Sequence, residues 1–252
     1  MLEKLDGIII KTQDYGESHK IVTMLSKQLG KLSGIARGAK KPKSRMAAVT
    51  QPFIHGNYLV YVNKGLSTIQ QGEIVDSFRN IREDIIKTAY AAYIAELTDK
   101  LLESRQPDIY IYDQFYRTLT WISNHDEITI PILMYEIKLY QKGGIGPIVD
   151  RCVQCGQRDR LVSFSVMEGG LLCEGCQTTD SQAIRLPQSL IKLVYIMANI
   201  GLERVGNSDV KQQNQALLRK MFDDYYDRYG GYYLKSRKFL QQLDSLEQND
   251  FS

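Results

Sequence analysis

All four cysteines of this 252-residue chain fall in two Cys-x-x-Cys pairs, Cys152 with Cys155 and Cys173 with Cys176, with 17 residues between the pairs. The two-residue gap lets both thiolates of a pair face one ion. An intervening hairpin would set the second pair opposite the first. Four sulfurs then close a tetrahedron that suits a single zinc ion and leaves no position for water, so the expected role is structural. Gly156 and Gly175 fit the tight turns such knuckles need. The bland alternative is four free buried thiols. An iron–sulfur cluster is the less favoured alternative, since the spacing is that of a zinc ribbon and not of a ferredoxin run. No odd cysteine is left over and nothing marks a secretory chain, so a disulfide framework is not expected.

The rest of the chain changes texture near residue 80. Before it lie β-branched and aromatic runs: Gly7–Ile10, Ile21–Leu25 up to a turn near Gly30, Phe53–Val62, and, after the turn Asn63-Lys64-Gly65, Leu66–Val75. About five short strands with glycine-containing turns fit a small β-barrel or sandwich. After it, apolar residues recur at helical spacing. Ile81, Ile85, Ala89, Tyr93, Leu97 and Leu101 form one stripe, stopped by Pro107. Tyr112, Phe115, Leu119 and Ile122 form a second, and Leu133, Ile137 and Tyr140 a third, with Pro131 expected at its first helical position and Gly143-Gly144 closing it. Beyond the cysteines, Leu190, Val194 and Met197 mark one helix. Leu217, Leu218, Met221, Phe222, Tyr225 and Tyr229 mark a longer one closed by Gly230-Gly231, and Phe239, Leu243 and Leu246 mark a last short one. Tyr90, Tyr93, Tyr225 and Tyr229 lie on or beside these stripes and are read as packing residues. The expected organisation is multidomain α+β: a barrel over 1–80, a helical bundle over 81–145 and 181–252, and a zinc ribbon inserted over 146–180.

Charge is segregated. The net charge is only +3, but Ser18–Gly72 contains no Asp or Glu. Residues 1–80 hold 12 Lys plus Arg against 6 Asp plus Glu, or +6, while the remainder has 20 against 23, or −3. The acid-free window holds Lys20, Lys31 and Lys64 among others, and its densest part is Arg37, Lys40, Lys41, Lys43 and Arg45. Glycine and proline make that part a loop whose side chains could track a flexible backbone. Lysine and arginine neutralise phosphates and release counterions, which drives sequence-independent binding. A basic face on a small barrel, with aromatics nearby, is a common route to single-strand binding. These eight cations are therefore the candidate DNA contacts, against the plainer reading of a solvated charged loop.

No catalytic constellation competes with this. There is no Walker-type loop, and the three histidines, His19, His55 and His125, are isolated from acidic pairs. His125-Asp126-Glu127 imitates the H-x-E half of a zinc deaminase. The proline that should precede the first cysteine is absent, since residue 151 is Arg, and the second cysteine pair would have no purpose. His125 is better read as part of a polar turn between helices.

The segment Gly34–Arg45, GIARGAKKPKSR, followed by Gln51-Pro52-Phe53 and Gln71-Gly72-Glu73, resembles the bacterial recombination mediator family RecO, and the resemblance runs essentially end to end. It implies an N-terminal OB-fold, a helical C-terminal domain and a zinc-binding module, although some members lack the cysteines. It also implies a role: binding single- and double-stranded DNA, annealing complementary strands, working with RecR, and helping RecA displace single-strand-binding protein. The family's basic motif maps onto Arg37, Lys40, Lys41, Lys43 and Arg45. Its surface for the tail of single-strand-binding protein lies in the helical domain. No enzymatic step is implied. A competing reading is a zinc-ribbon transcription or translation factor, which explains the zinc and the basic barrel but leaves the helical body without a task. A third is a metal-dependent nucleic-acid enzyme. The apolar run at the N-terminus is three residues, and no stretch approaches the ~20 needed to cross a bilayer, so a cytoplasmic, nucleoid-associated protein is expected.

Overall fold

Five strands close the barrel: β1 (Leu2–Tyr15), β2 (His19–Ser26), β3 (Gly30–Ala36), β4 (His55–Tyr61) and β5 (Ser67–Asp76), in the order β1-β2-β3-β5-β4. The computed structural model describes residues 1–205 and 210–249, the side chains of 244–249 excepted. Every strand pair is antiparallel except β3 with β5, which run parallel over Gly34–Ala36 and Ser67–Ile69. A short helix, α1 (Arg45–Val49), connects β3 to β4. This is the OB-type arrangement of a five-stranded Greek-key barrel.

The strand β1 is far longer than the Gly7–Ile10 run suggests. Its register slips by one residue at Ile10, between the pairs Ile9↔Met24 and Lys11↔Thr23. Such a bulge bends a strand and increases its twist. The bend lets the first half of β1 pair with β4 and the second half with β2. Ile9 enters the barrel core with Leu5, Met24, Tyr58 and Ile69.

The parallel β3–β5 contact is short, and the chain fills the gap beside it. Lys31 bridges to Ser104, and the Arg105 amide donates to the Lys31 carbonyl at 2.8 Å. The Arg105 guanidinium donates to the carbonyls of Asn63 and Gly65 in the β4–β5 turn. Gly30 permits this approach: its φ is +67°, and a Cβ there would lie 2.3 Å from the Gln106 carbonyl oxygen.

Beyond the barrel, the stripe that begins at Ile81 is two helices, α2 (Arg79–Glu83) and α3 (Ile85–Leu101). Asp84 separates them in an extended conformation and caps α3, its carboxylate accepting from the amides of Ile86 (2.8 Å) and Lys87 (3.0 Å). Ile85 consequently faces solvent, while Ile81, Ala89, Tyr93 and Leu97 are buried. The next helix, α4 (Ile109–Asn124), is capped in the same way by Asp108.

A second compact unit spans Glu127–Tyr233. Its central helix, α5 (Thr129–Lys142), is buried at every position from Ile130 to Tyr140. Pro131 is the third residue of α5, still in the first turn where an amide needs no intrahelical acceptor. A three-stranded sheet follows: β6 (Leu161–Ser165), β7 (Gly170–Cys173) and β8 (Ile184–Arg185), in the order β7-β6-β8. Then come α6 (Gln188–Asn199) and α7 (Gln212–Tyr229). Tyr225 contacts the rings of Tyr140, Phe164 and Tyr229, so its reading as a packing residue holds.

Inside this unit Glu136 is 0% exposed and is gripped from both sides by Arg219, at 2.5 Å (Nη1 to Oε1) and 2.8 Å (Nη2 to Oε2). Burial pushes the Glu136 carboxyl upward, and the two-pronged Arg219 contact opposes that push. Truncating one partner of such a pair leaves a buried charge uncompensated, at a cost of about 3–5 kcal/mol. Arg219→Ala is therefore expected to destabilise this unit by that amount in denaturant unfolding. A loss under about 1 kcal/mol would show that the pair is not structural.

The last helix, α8 (Lys235–Asn249), belongs to the first unit, which comprises Met1–Asp126 and the segment from Leu234 onward. Glu96 on α3 caps its start, accepting from the Ser236 amide at 2.9 Å and the Ser236 hydroxyl at 2.5 Å. Its inward residue is Leu240 and not the expected Phe239, which is 41% exposed. Leu243 is half-buried, and the side chain of Leu246 lies outside the described residues. Among the described residues, no helix is long and apolar enough to cross a membrane.

Candidate nucleic-acid interface and metal centre

The barrel register sorts the eight candidate cations into two groups. Lys20 on β2 lies opposite Ala36, the last residue of β3, and so sits beside the loop that begins at Arg37. Arg37, Lys40, Lys41, Lys43 and Arg45 are all exposed along that loop and the start of α1. These six share one end of the barrel. Lys31 and Lys64 sit at the other end, beside the segment Ser104–Gln106 and in the β4–β5 turn. The ammonium of Lys31 is engaged there. It lies 3.4 Å from Asp99 Oδ1, donates to the Asp99 carbonyl, and its side chain is 12% exposed. Lys64 is exposed.

The basic loop is tethered, contrary to the flexible backbone its glycine and proline suggest. The Lys41 amide donates to the Gly38 carbonyl (3.0 Å) and the Ser44 amide to the Lys41 carbonyl (3.2 Å), forming two successive turns. Gly38 and Lys43 adopt positive φ of 71° and 62°. Ala39 is buried in the barrel core and pins the middle of the loop. The Gly38 amide donates to His19 Nδ1 at 3.0 Å, and the Lys40 amide to the Ser18 carbonyl at 3.1 Å, tying the loop to the β1–β2 turn. The Lys40 ammonium is 3.1 Å from Asp14 Oδ2. The cations thus project from a fixed platform. The sequence carried the signal for this anchoring, an apolar Ala39 amid polar residues and a histidine three residues after the Gly16 turn, but neither stands out without the fold.

The four cysteines come together within the second unit. Cys152 and Cys155 lie on the loop before β6, while Cys173 ends β7 and Cys176 follows it. Their sulfurs all lie within 4.8 Å of one another, with Cys155 Sγ 3.7 Å from Cys173 Sγ. A tetrahedral zinc with bonds of about 2.3 Å would place its sulfurs about 3.8 Å apart, so the donor set fits. Each pair turns as a knuckle. The Gly156 amide donates to the Cys152 carbonyl (2.9 Å), and the Cys176 amide to the Cys173 carbonyl (3.0 Å). Val153 N donates to Leu171 O at 2.8 Å and so ties the first pair to β7, while Cys152 N donates to Gln157 O at 2.7 Å and closes the first knuckle. Burial raises the Cys152 thiol, but surrounding backbone amides outweigh it and hold it down at about 6. The adjacent Cys155 and Cys173 thiols push Cys176 up to about 12. Sulfurs this close resist ionising together unless a cation sits among them. No histidine joins the group; His125 stacks on Trp121 at 4.3 Å.

Fold and site together define a class: an OB-type barrel with cations gathered at one end, in a chain that also carries a helical unit with a four-thiolate cluster able to hold a metal ion. Comparison with known proteins supplies the family. The model of the recombination protein O N-terminal domain matches residues 1–78, and that of the recombination protein O C-terminal domain matches residues 82–238. The chain is 56% identical over 244 residues to the DNA repair protein RecO of Oceanobacillus iheyensis, covering 97% of this chain and 95% of that protein. It is 43% identical over 247 residues to the DNA repair protein RecO of Bacillus cereus strain AH187, covering 98% and 100%. A DNA repair protein RecO of Bacillus anthracis matches to the same extent. The chain belongs to the RecO family of DNA repair proteins.

Proposed function

We propose that this chain is a non-enzymatic recombination mediator that binds single- and double-stranded DNA, anneals complementary strands and assists recombinase loading together with RecR. The observation that carries this reading is the set of six cations, Lys20, Arg37, Lys40, Lys41, Lys43 and Arg45, at one end of the barrel. Held on a tethered loop, they can neutralise the phosphates of two strands at once. That screens the repulsion between the strands and eases pairing without any bond being made or broken. Lys64, at the far end, would meet only a strand that runs the length of the barrel. Lys31 lies at the same end as Lys64, with its ammonium 3.4 Å from Asp99 Oδ1, and would meet such a strand there.

Under the same reading, Cys152, Cys155, Cys173 and Cys176 hold one structural zinc ion, and no step of the annealing passes through it. The working parts are an OB-type DNA-binding part over 1–80, a helical part over 81–145 and 181–252, and the zinc insert over 146–180. The tail of single-strand-binding protein docks on the helical part, and the protein acts in the cytoplasm on the nucleoid. Family membership supports these assignments.

Strand pairing should proceed without nucleotide, because nothing on the barrel supplies a nucleophile, a general base and an open metal position together. The check is an annealing assay run with and without ATP beside an ATPase assay on the same preparation. Equal rates and no hydrolysis are expected. An ATPase or nuclease activity that co-purifies with the chain would contradict the non-enzymatic assignment.

A further inference from the structure

We infer that Tyr15 is a base-stacking residue, which takes one unpaired nucleobase of a strand whose phosphates lie on the Arg37–Arg45 loop. The inference rests on the DNA-binding reading of that loop and adds a preference for unpaired DNA at this end of the barrel. Tyr15 is the last residue of β1 and pairs with His19 across the β1–β2 turn. Its side chain is 48% exposed. Of the other barrel tyrosines, Tyr58 is buried and donates to the Val49 carbonyl at 2.8 Å, while Tyr61, equally exposed, ends β4 opposite Leu2, at the end of the barrel away from the basic loop. The turn that carries Tyr15 and the basic loop form one hydrogen-bonded block. Three contacts join them: Gly38 N to His19 Nδ1, Lys40 N to Ser18 O at 3.1 Å, and Lys40 Nζ to Asp14 Oδ2 at 3.1 Å. The backbone of Tyr15 is therefore held beside the loop that carries the cations, and its half-exposed ring is open to a base.

Charge decides which part of a nucleotide reaches it. Asp14 and Glu17 flank Tyr15 in sequence, and both are exposed. They repel phosphate, while Arg37, Lys41 and Lys43 on the neighbouring loop attract it. A strand laid along the loop thus keeps its backbone over the cations and turns its bases toward the aromatic side. Bases of a single strand can splay out and stack on a ring, whereas bases inside a duplex offer only their edges. Such stacking tolerates any sequence, because every base has a π-face.

The test is fluorescence anisotropy on the full chain with three probes: an oligothymidine strand, the same strand with abasic sites at its centre, and a duplex of equal length. The parent is expected to bind the intact strand on the order of tenfold more tightly than the abasic one. Tyr15→Ala should lose that factor on the intact strand and cease to distinguish the two, while Tyr15→Phe behaves as the parent. Duplex binding and the salt dependence should be unchanged throughout, since no charge is altered. If Tyr15→Ala is poorly folded, Tyr15→Leu keeps the bulk without the π-face and serves in its place. A parent indifferent to base removal, or a Tyr15→Ala loss as large on duplex as on single strand, overturns the inference. The Lys40, Lys41 and Lys43 triple alanine variant separates this from failure of the loop assignment: if it binds like the parent, the loop reading itself has failed, whatever Tyr15 does.

Discussion

Elemental analysis of the purified chain is expected to return one zinc per molecule, and that of the Cys173→Ser variant close to none. Cys173 is the buried thiol at the end of β7, where the sheet and the metal knuckle meet. Removing it opens the tetrahedron and leaves three sulfurs whose crowding a cation no longer relieves. Structural zinc contributes about 10–16 kcal/mol of apparent binding free energy to local folding. The sheet β7-β6-β8 should therefore lose protection against hydrogen exchange in the variant, while the barrel keeps its own. Acid should release the ion as the thiolates protonate, so the site is filled at neutral pH and empties as pH falls. Iron in place of zinc, or a Cys173→Ser variant that keeps a full complement, would refute the assignment.

Changing Lys40, Lys41 and Lys43 together to alanine should flatten the slope of log affinity against log salt for single-strand binding by about 2. With four or five of the six cations on phosphates, the parent should show a slope of about −3 to −3.5, since each contact on a single strand contributes roughly −0.7. The loss should be uniform across sequences, because phosphate contacts carry no base information. Stability should hardly move: all three lysines are exposed, and surface charges contribute little. The platform should survive as well: it loses the Lys40–Asp14 ion pair but keeps Ala39 in the barrel core and the Gly38 and Lys40 amides bonded to His19 and Ser18. A salt titration of parent and variant decides it. Matching slopes and affinities would put the DNA surface elsewhere in the chain.

The clustering of the four cysteines was legible because its information is local: two short spacings and the chemistry of sulfur specify four sulfurs around one point wherever the module sits. The barrel was legible for a similar reason, since strand-forming runs and turn residues report themselves within a few positions. What the sequence concealed depends on partners far along the chain. The charge on Lys31 is answered by Asp99, and the separation of Lys64 from the basic loop follows from the parallel β3–β5 register. Composition reports a basic window but not which end of a barrel each lysine occupies. The break at Asp84 was hidden by an unbroken apolar stripe, although an Asp directly before the apolar Ile85 is a usable capping signal. The membership of α8 in the first unit, through Glu96 and Ser236, had no local signature at all. Phe239 and Leu240 differ by one position in register, and a short helix with few apolar residues leaves that choice to packing.

In the proposed function, the cations at one end of the barrel bring complementary DNA strands together. It is tested most directly by the rate at which the chain anneals complementary oligonucleotides coated with single-strand-binding protein, measured for the parent and for the Lys40, Lys41 and Lys43 triple alanine variant at one salt concentration. Rapid pairing by the parent without nucleotide is expected, with a large loss of rate in the variant and its fold intact. Pairing no faster than the uncatalysed rate with the parent, or undiminished pairing by the variant, would contradict it.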